Sequence, residues 1–179
     1  NVTDWPHKLD PQEPRDGFAA PPDDLAVAIR SDLDNGTYQY EREAFFEDET
    51  AEVPLPFYGF DKYVAVTRHG FNTGGDHARH VRTTAPDAFA QRGRTNQFAH
   101  DYTCPQAIRT KVPEEQYSTS YIADRTCEFL ESRRGNPTPF LLMVSFPDPH
   151  HPFTPPGKYW DMYKPEDMEI PSAYTADDW

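Results

Sequence analysis

An α/β fold is predicted for this chain: part of a mixed sheet flanked by helices, with long proline-rich loops. Three observations predict it. The run Pro139-Phe-Leu-Leu-Met-Val-Ser-Phe146 is the most continuous apolar stretch, and it is short and bounded by prolines. That is the pattern of a strand buried on both faces. Residues 121–134 carry apolar side chains at helical spacing, and Asn136-Pro-Thr138 joins them to the run; helix, short loop and buried strand make an α/β unit. The run is followed at once by Pro147-Asp-Pro-His-His-Pro-Phe-Thr-Pro-Pro156, a loop at the strand's carboxyl end, where open α/β sheets place their ligands.

Composition narrows the function. With 36% hydrophobic residues and 19 prolines the chain is rich in loops, yet its 12 Phe, 10 Tyr and 3 Trp argue against disorder, which is poor in aromatics. A net charge of −13 disfavours nucleic acid, which needs a basic footprint. It does not exclude a small anionic substrate, because a site can be locally positive. No uncharged apolar run approaches membrane-spanning length. Cys104 and Cys127 make no disulfide framework; two buried thiols are the expectation, with a single disulfide as the alternative. The chain starts at Asn1 and ends at Trp179 in an acidic, turn-like run, so a piece of a longer polypeptide is expected, with no internal domain boundary.

The elements follow in order. Residues 1–22 read as a loop or extended arm. Asn1-Val-Thr3 and Asn35-Gly-Thr37 match the glycosylation triplet, a pattern that chance often produces. A helix is expected over 23–33, capped by Asp23 or Asp24, with Leu25, Ile29 and Leu33 on one face and Asn35-Gly36 as its stop. Asp32 to Gly36 falls short of a calcium loop, which needs another residue before the glycine and a distal Glu. Residues 38–50 are acidic and aromatic, a solvated loop or short helix. Val53-Pro-Leu-Pro-Phe-Tyr-Gly-Phe60 leads into a second expected strand over 62–67, where β-branched residues recur. Arg68-His-Gly-Phe-Asn-Thr-Gly-Gly75 is a glycine-bearing loop, with a helix starting near Asp76. Residues 86–93 add a helical turn and 94–112 are irregular. The strongest helix is 121–134: Ile122, Thr126, Phe129 and Leu130 form a stripe that Ala123 and Cys127 widen. Arg133 and Arg134 suit its negative end, and Gly135 stops it. A short helix is expected over 158–163.

Candidate site residues concentrate in the proline loop. Pro147, Pro149, Pro152 and Pro155 stiffen it around Asp148, His150 and His151, and a stiff loop holding polar groups preorganises a site. Alternation along an extended loop points His151 away from His150. Asp148 is expected as an orienting partner rather than a metal ligand. His69, His77 and His80 invite a zinc hypothesis, but His-x2-His with neither a cysteine partner nor a His-Glu-x-x-His pattern is a poor zinc signature; surface or hydrogen-bonded histidines are the expectation.

Residues 117–171 resemble the middle of the type I, formylglycine-dependent sulfatases of the alkaline phosphatase superfamily. The matching motifs occur together and in order: Tyr-Ile-Ala-Asp-Arg-Thr (121–126), Glu-Phe-Leu (128–130), the apolar run 139–146, Asp-Pro-His-His-Pro-Phe (148–153), Pro-Pro-Gly-Lys-Tyr (155–159) and Met-Tyr (162–163). Residues 54–70, with Phe-Tyr-Gly-Phe before a strand, look similar too. The resemblance implies a core piece over 54–171 preceded by a loop-rich insertion over 1–53, all one segment of a sulfatase-like catalytic domain. It implies a divalent metal, calcium before manganese or magnesium, and a formylglycine nucleophile made from Cys or Ser in a Cys/Ser-x-Pro/Ala-x-Arg motif. It also implies that His150 contacts the sulfate and assists the leaving group; His151 and Asp148, from the loop itself, are lesser candidate substrate contacts.

Cys/Ser-x-Pro/Ala-x-Arg does not occur in residues 1–179, and in Cys104-Pro-Gln-Ala-Ile-Arg109 the Pro and Arg stand at the wrong positions. The paired metal aspartates, the Gly-Lys-x-His element and a strand ending in Asp-Asn/His-Gly are missing too; Asp34-Asn-Gly36 follows a helix instead. Metal and nucleophile are therefore expected from the remainder of the same polypeptide, and residues 1–179 alone are expected to be inactive. Hydrolysis of a small-molecule sulfate ester is the first expectation. The alternatives are a phosphonate monoester or phosphodiester hydrolase of the same superfamily, and a non-catalytic domain that kept the fold.

Overall fold

The structure, a computed structural model, describes residues 39–174. The helix expected over 23–33, both glycosylation triplets and the Asp32–Gly36 turn lie outside the described residues. The chain divides into two compact units, Asn1–Ala65 and Val66–Trp179.

In the first unit a 3-10 turn, Gln39–Glu41, leads into α1, Glu43–Glu47, so the acidic aromatic stretch is a short helix. Its aromatics cluster. Tyr40 meets Phe45 edge-on at 5.1 Å between ring centroids, and Phe57 meets Tyr63 at 4.5 Å. Phe46 and Ala65 are buried. Phe57 and Phe60 exchange backbone hydrogen bonds of 3.0 and 2.9 Å across Tyr58 and Gly59, whose φ angles are 48° and 85°. Two consecutive left-handed residues make a tight primed turn, which is why glycine stands there. The Tyr58 hydroxyl donates to Glu41.

The second unit holds the helices that position the site. A 3-10 turn, Gly70–Asn72, precedes α2, Gly75–Thr84. Gly75, His77, Ala78 and Val81 face inward on α2, the spacing of one helical stripe. Ala85 leaves helical geometry at φ −146° and ψ 64°, as a residue before proline tends to, and α3 restarts at Pro86–Ala90 with its proline in the first turn. After a 3-10 turn, Glu114–Gln116, comes α4, Ser118–Ser132.

α4 begins three residues before the expected Tyr121. Ser118, Thr119 and Ser120 form its first turn instead of capping it. No side chain caps the helix, and two hydroxyls serve other partners: Ser120 donates to the Glu114 carbonyl at 2.7 Å and Thr119 to Asp148 at 3.0 Å. Gly135, at φ 76°, ends the helical turn as expected. Only Ser118, Tyr121 and Ile122 are buried along α4. Leu130, Ala123 and Cys127 on the expected stripe are exposed, and both cysteines are exposed free thiols rather than buried ones.

The expected sheet is the main difference. Among the described residues there is no strand, only isolated pairings at Phe57–Phe60, Gln97–Thr110 and Ala107–Phe153. Residues 62–67 and 139–146 carry no regular structure. Leu141 is 81% exposed and Met143 71% exposed, so the apolar run is buried on neither face. A strand exists through its ladder partners, and here no neighbour supplies them. Phe140 keeps one contact, edge-on to Phe129 of α4 at 5.3 Å. Residues 94–112 are irregular, as expected, and 158–163 is a 3-10 turn at Gly157–Tyr159 followed by a bend. No helix among the described residues is long and apolar enough to cross a membrane.

Candidate active site

The proline loop is braced at both ends. The His150 amide donates to the Pro147 carbonyl at 3.1 Å and closes the first turn. The Asp148 carboxylate accepts from the Tyr117 hydroxyl at 3.1 Å and the Thr119 hydroxyl at 3.0 Å, which ties the loop to the start of α4. The Tyr117 oxygen also lies 2.8 Å from the Thr154 hydroxyl. Tyr117 has one proton and Asp148 accepts it, so Thr154 donates. Burial, first among its causes, pushes the Tyr117 hydroxyl far above the ordinary tyrosine range, so it stays a neutral donor. Farther on, the Phe153 amide donates to Gln106 at 2.9 Å and its carbonyl accepts from Ile108 at 3.0 Å. Tyr159 and Lys158 then both bind the Glu114 carboxylate, at 2.7 and 3.2 Å.

His150 stands on this frame, exposed. Its Nδ1 lies 2.6 Å from the His151 carbonyl oxygen. A carbonyl only accepts, so Nδ1 carries a hydrogen and Nε2 is left for a ligand. In the neutral ring Nε2 accepts a proton; in the cation it donates one. The His151 ring lies 4.3 Å from the His150 ring, tilted by 43°, so the two sit side by side rather than on opposite sides of the loop. Asp148 holds the backbone of the loop and makes no hydrogen bond to His150.

The second loop in the site is the glycine-bearing one. His69 stacks on His150 with ring centroids 3.7 Å apart and planes 16° apart. Burial, and next the neighbouring His150, lower the His69 pKa, while Asp148 pulls the other way. Gly70 has φ +54°, and a β-carbon there would meet the Pro152 carbonyl oxygen at 2.7 Å and Thr154 Oγ1 at 2.9 Å. Only glycine allows both the left-handed backbone and the close approach. Arg92 staples the same loop by donating to the Phe71 carbonyl at 3.0 Å and to the Thr73 carbonyl.

The other histidines of the zinc hypothesis are elsewhere. His77 is buried, with Nε2 3.0 Å from the Gln116 carbonyl and Nδ1 3.1 Å from the Thr73 hydroxyl, and His80 packs beside Tyr121 at 5.1 Å. Among the described residues no three His, Cys, Asp or Glu side chains converge to hold a metal. Without such a cluster, the lone Asp148 carboxylate falls short of the six or more oxygen ligands that calcium takes or the octahedron that magnesium demands, so these residues do not fit a calcium, manganese or magnesium site.

Sequence reasoning missed Tyr117, Thr154, Gly70 and the pairing of His69 with His150. The glycines of 68–75 are the one signal in the sequence that could have pointed to a close approach.

Comparisons with known proteins give partial similarities to sulfatases. No family model matches, and no solved structure matches. An arylsulfatase of Clostridium perfringens is 41% identical over 58 residues, 32% of this chain and 12% of the relative. An ulvan-active sulfatase of Formosa agariphila is 30% identical over 112 residues, 55% of this chain and 22% of the relative. The multifunctional alkaline phosphatase superfamily protein PehA of Trinickia caryophylli is 34% identical over 62 residues, 35% of this chain and 12% of the relative. The chain thus spans at most about a fifth of the length of these curated relatives. At low identity and over partial lengths, these similarities support the sulfatase and alkaline phosphatase superfamily.

Proposed function

We propose that residues 1–179 form one wall of the active site of a sulfatase-like hydrolase that cleaves a sulfate ester. His150 is the catalytic residue on this wall. The observation that carries the proposal is the state of its ring: Nδ1 is committed to the His151 carbonyl at 2.6 Å, and Nε2 is free. As the S–O bond breaks, its electron pair stays on the leaving oxygen. A protonated His150 gives that oxygen its Nε2 proton, and the sulfuryl group passes to an oxygen nucleophile. General acid assistance of this kind contributes roughly 10²–10⁴-fold. His151 and Asp148 are proposed as lesser contacts, Asp148 by fixing the loop.

The nucleophile, a formylglycine, and the divalent metal, calcium before manganese or magnesium, are proposed to come from the remainder of the polypeptide. Support comes from the small share of its relatives that the chain spans and from the uncovered apolar segment 139–146. Residues 1–179 alone are accordingly inactive.

One observation favours a second reading. The similarity to a protein named as a multifunctional member of the alkaline phosphatase superfamily supports a phosphonate monoester or phosphodiester hydrolase. Rates of the full-length polypeptide on an aryl sulfate and an aryl phosphonate monoester decide between them. The sulfatase proposal expects the sulfate to be the better substrate by kcat/KM. A preference for the phosphonate ester replaces it with the second reading, and turnover of neither overturns both.

A further inference from the structure

Nothing in the resemblance gives His69 a role, yet its ring lies flat against His150. The centroids are 3.7 Å apart and the planes are 16° from parallel. The contact is built into the backbone. Gly70, the next residue, is pressed so closely against Pro152 and Thr154 that no β-carbon fits. The loop carrying His69 is therefore locked to the loop carrying His150. His69 also keeps a buried Nδ1 with no hydrogen-bond partner among the described residues.

Resting on the function proposed above, we propose that His69 is a positioning residue: its ring is the platform that sets the His150 imidazole for proton donation to the leaving oxygen of the ester. Two imidazolium rings at this separation repel, so a charge on one ring disfavours a charge on the other. The groups facing His69 among the described residues are His150, His151 and Asp148. Of these only Asp148 favours a charge on His69, and its oxygens already accept two hydrogen bonds. Partial burial and the neighbouring His150 hold the His69 pKa below the ordinary histidine value. On His150 the proton is delivered from Nε2, the nitrogen that the His151 carbonyl leaves free.

The test separates positioning from bulk packing by the leaving group. A good leaving group, as in 4-nitrophenyl sulfate, needs little proton assistance; a simple alkyl or unsubstituted phenyl sulfate needs it strongly. In the full-length polypeptide, His69→Ala is expected to lower kcat roughly 10–100-fold on the poor leaving group, the scale of a misplaced catalytic group, and less than about 3-fold on the good one. His69→Phe, which keeps a flat ring, is expected to recover most of that loss. Equal losses on both substrates, no loss on the poor one, or no recovery with His69→Phe in a protein whose Tm matches the wild type would each overturn the inference. If the wild type turns over an ester and only His150→Ala is impaired, this inference falls and the function stands. If the wild type turns over no ester, both fall.

Discussion

At the scale of single residues the site depends on a backbone approach more than on any side-chain pair. Gly70 brings the His69 loop to within contact of Pro152 and Thr154, and its φ of +54° is one that L side chains rarely adopt. Gly70→Ala adds a methyl group 2.7 Å from a carbonyl oxygen, which backbone movement must relieve. Overpacking and a strained φ each cost on the order of 1–3 kcal/mol. Thermal unfolding should show a loss in that range, and activity of the full-length polypeptide should fall as the two histidines separate. An unchanged Tm with unchanged activity would mean that the approach is not needed. The polar content of the candidate site, Asp148, His150 and His151, stands out in the sequence because prolines enclose it in one short stretch. The His69–His150 stack was not, since the two residues lie far apart in the chain and no local pattern announces a tertiary contact.

At the scale of elements, His77 is the latch. It joins α2 to the turn that leads into α4, accepting from Thr73 and donating to the Gln116 carbonyl. Burial, the largest cause, lowers its pKa from 6.5 to about 4, while the bond to Gln116 pulls the other way. Sign follows from this. The unfolded chain takes up the proton near 6.5 and the folded chain only near 4, so the unfolded state binds more protons in between. Stability is full above about 6.5 and falls as pH drops toward 4, by roughly 3 kcal/mol from this residue. Chemical denaturation between pH 7 and 4 should show that slope, and His77→Gln should flatten it. A slope unchanged in His77→Gln would assign the effect to other groups.

Helices were legible because their periodicity is local. α2 starts one residue before the expected Asp76 and α3 lies within the helical turn expected over 86–93, while α4 starts early, with Thr119 and Ser120 hydroxyls bonded to partners beyond their own helix. The strands expected over 62–67 and 139–146 are absent among the described residues for the opposite reason. An apolar run encodes a demand for burial, but a ladder needs neighbours that no local pattern supplies.

At the scale of the molecule, the uncovered surface is the main feature. Phe140, Leu141, Met143, Val144 and Phe146 are all exposed, a contiguous apolar segment of the kind that marks an interaction surface. In residues 1–179 the amides of 140–146 find no backbone acceptor among the described residues. They should therefore exchange with solvent rapidly. In the full-length polypeptide the same amides should be protected by sheet neighbours. Equal, fast exchange in both would show that the segment is never a strand.

The most direct test of the whole assignment is the ratio of kcat/KM for wild type and His150→Ala on an aryl sulfate with a poor leaving group, in the full-length polypeptide. A loss of roughly 10²–10⁴-fold is predicted for removal of a general acid. A loss below about 3-fold, far short of that general-acid range, would contradict it and take His150 out of the site.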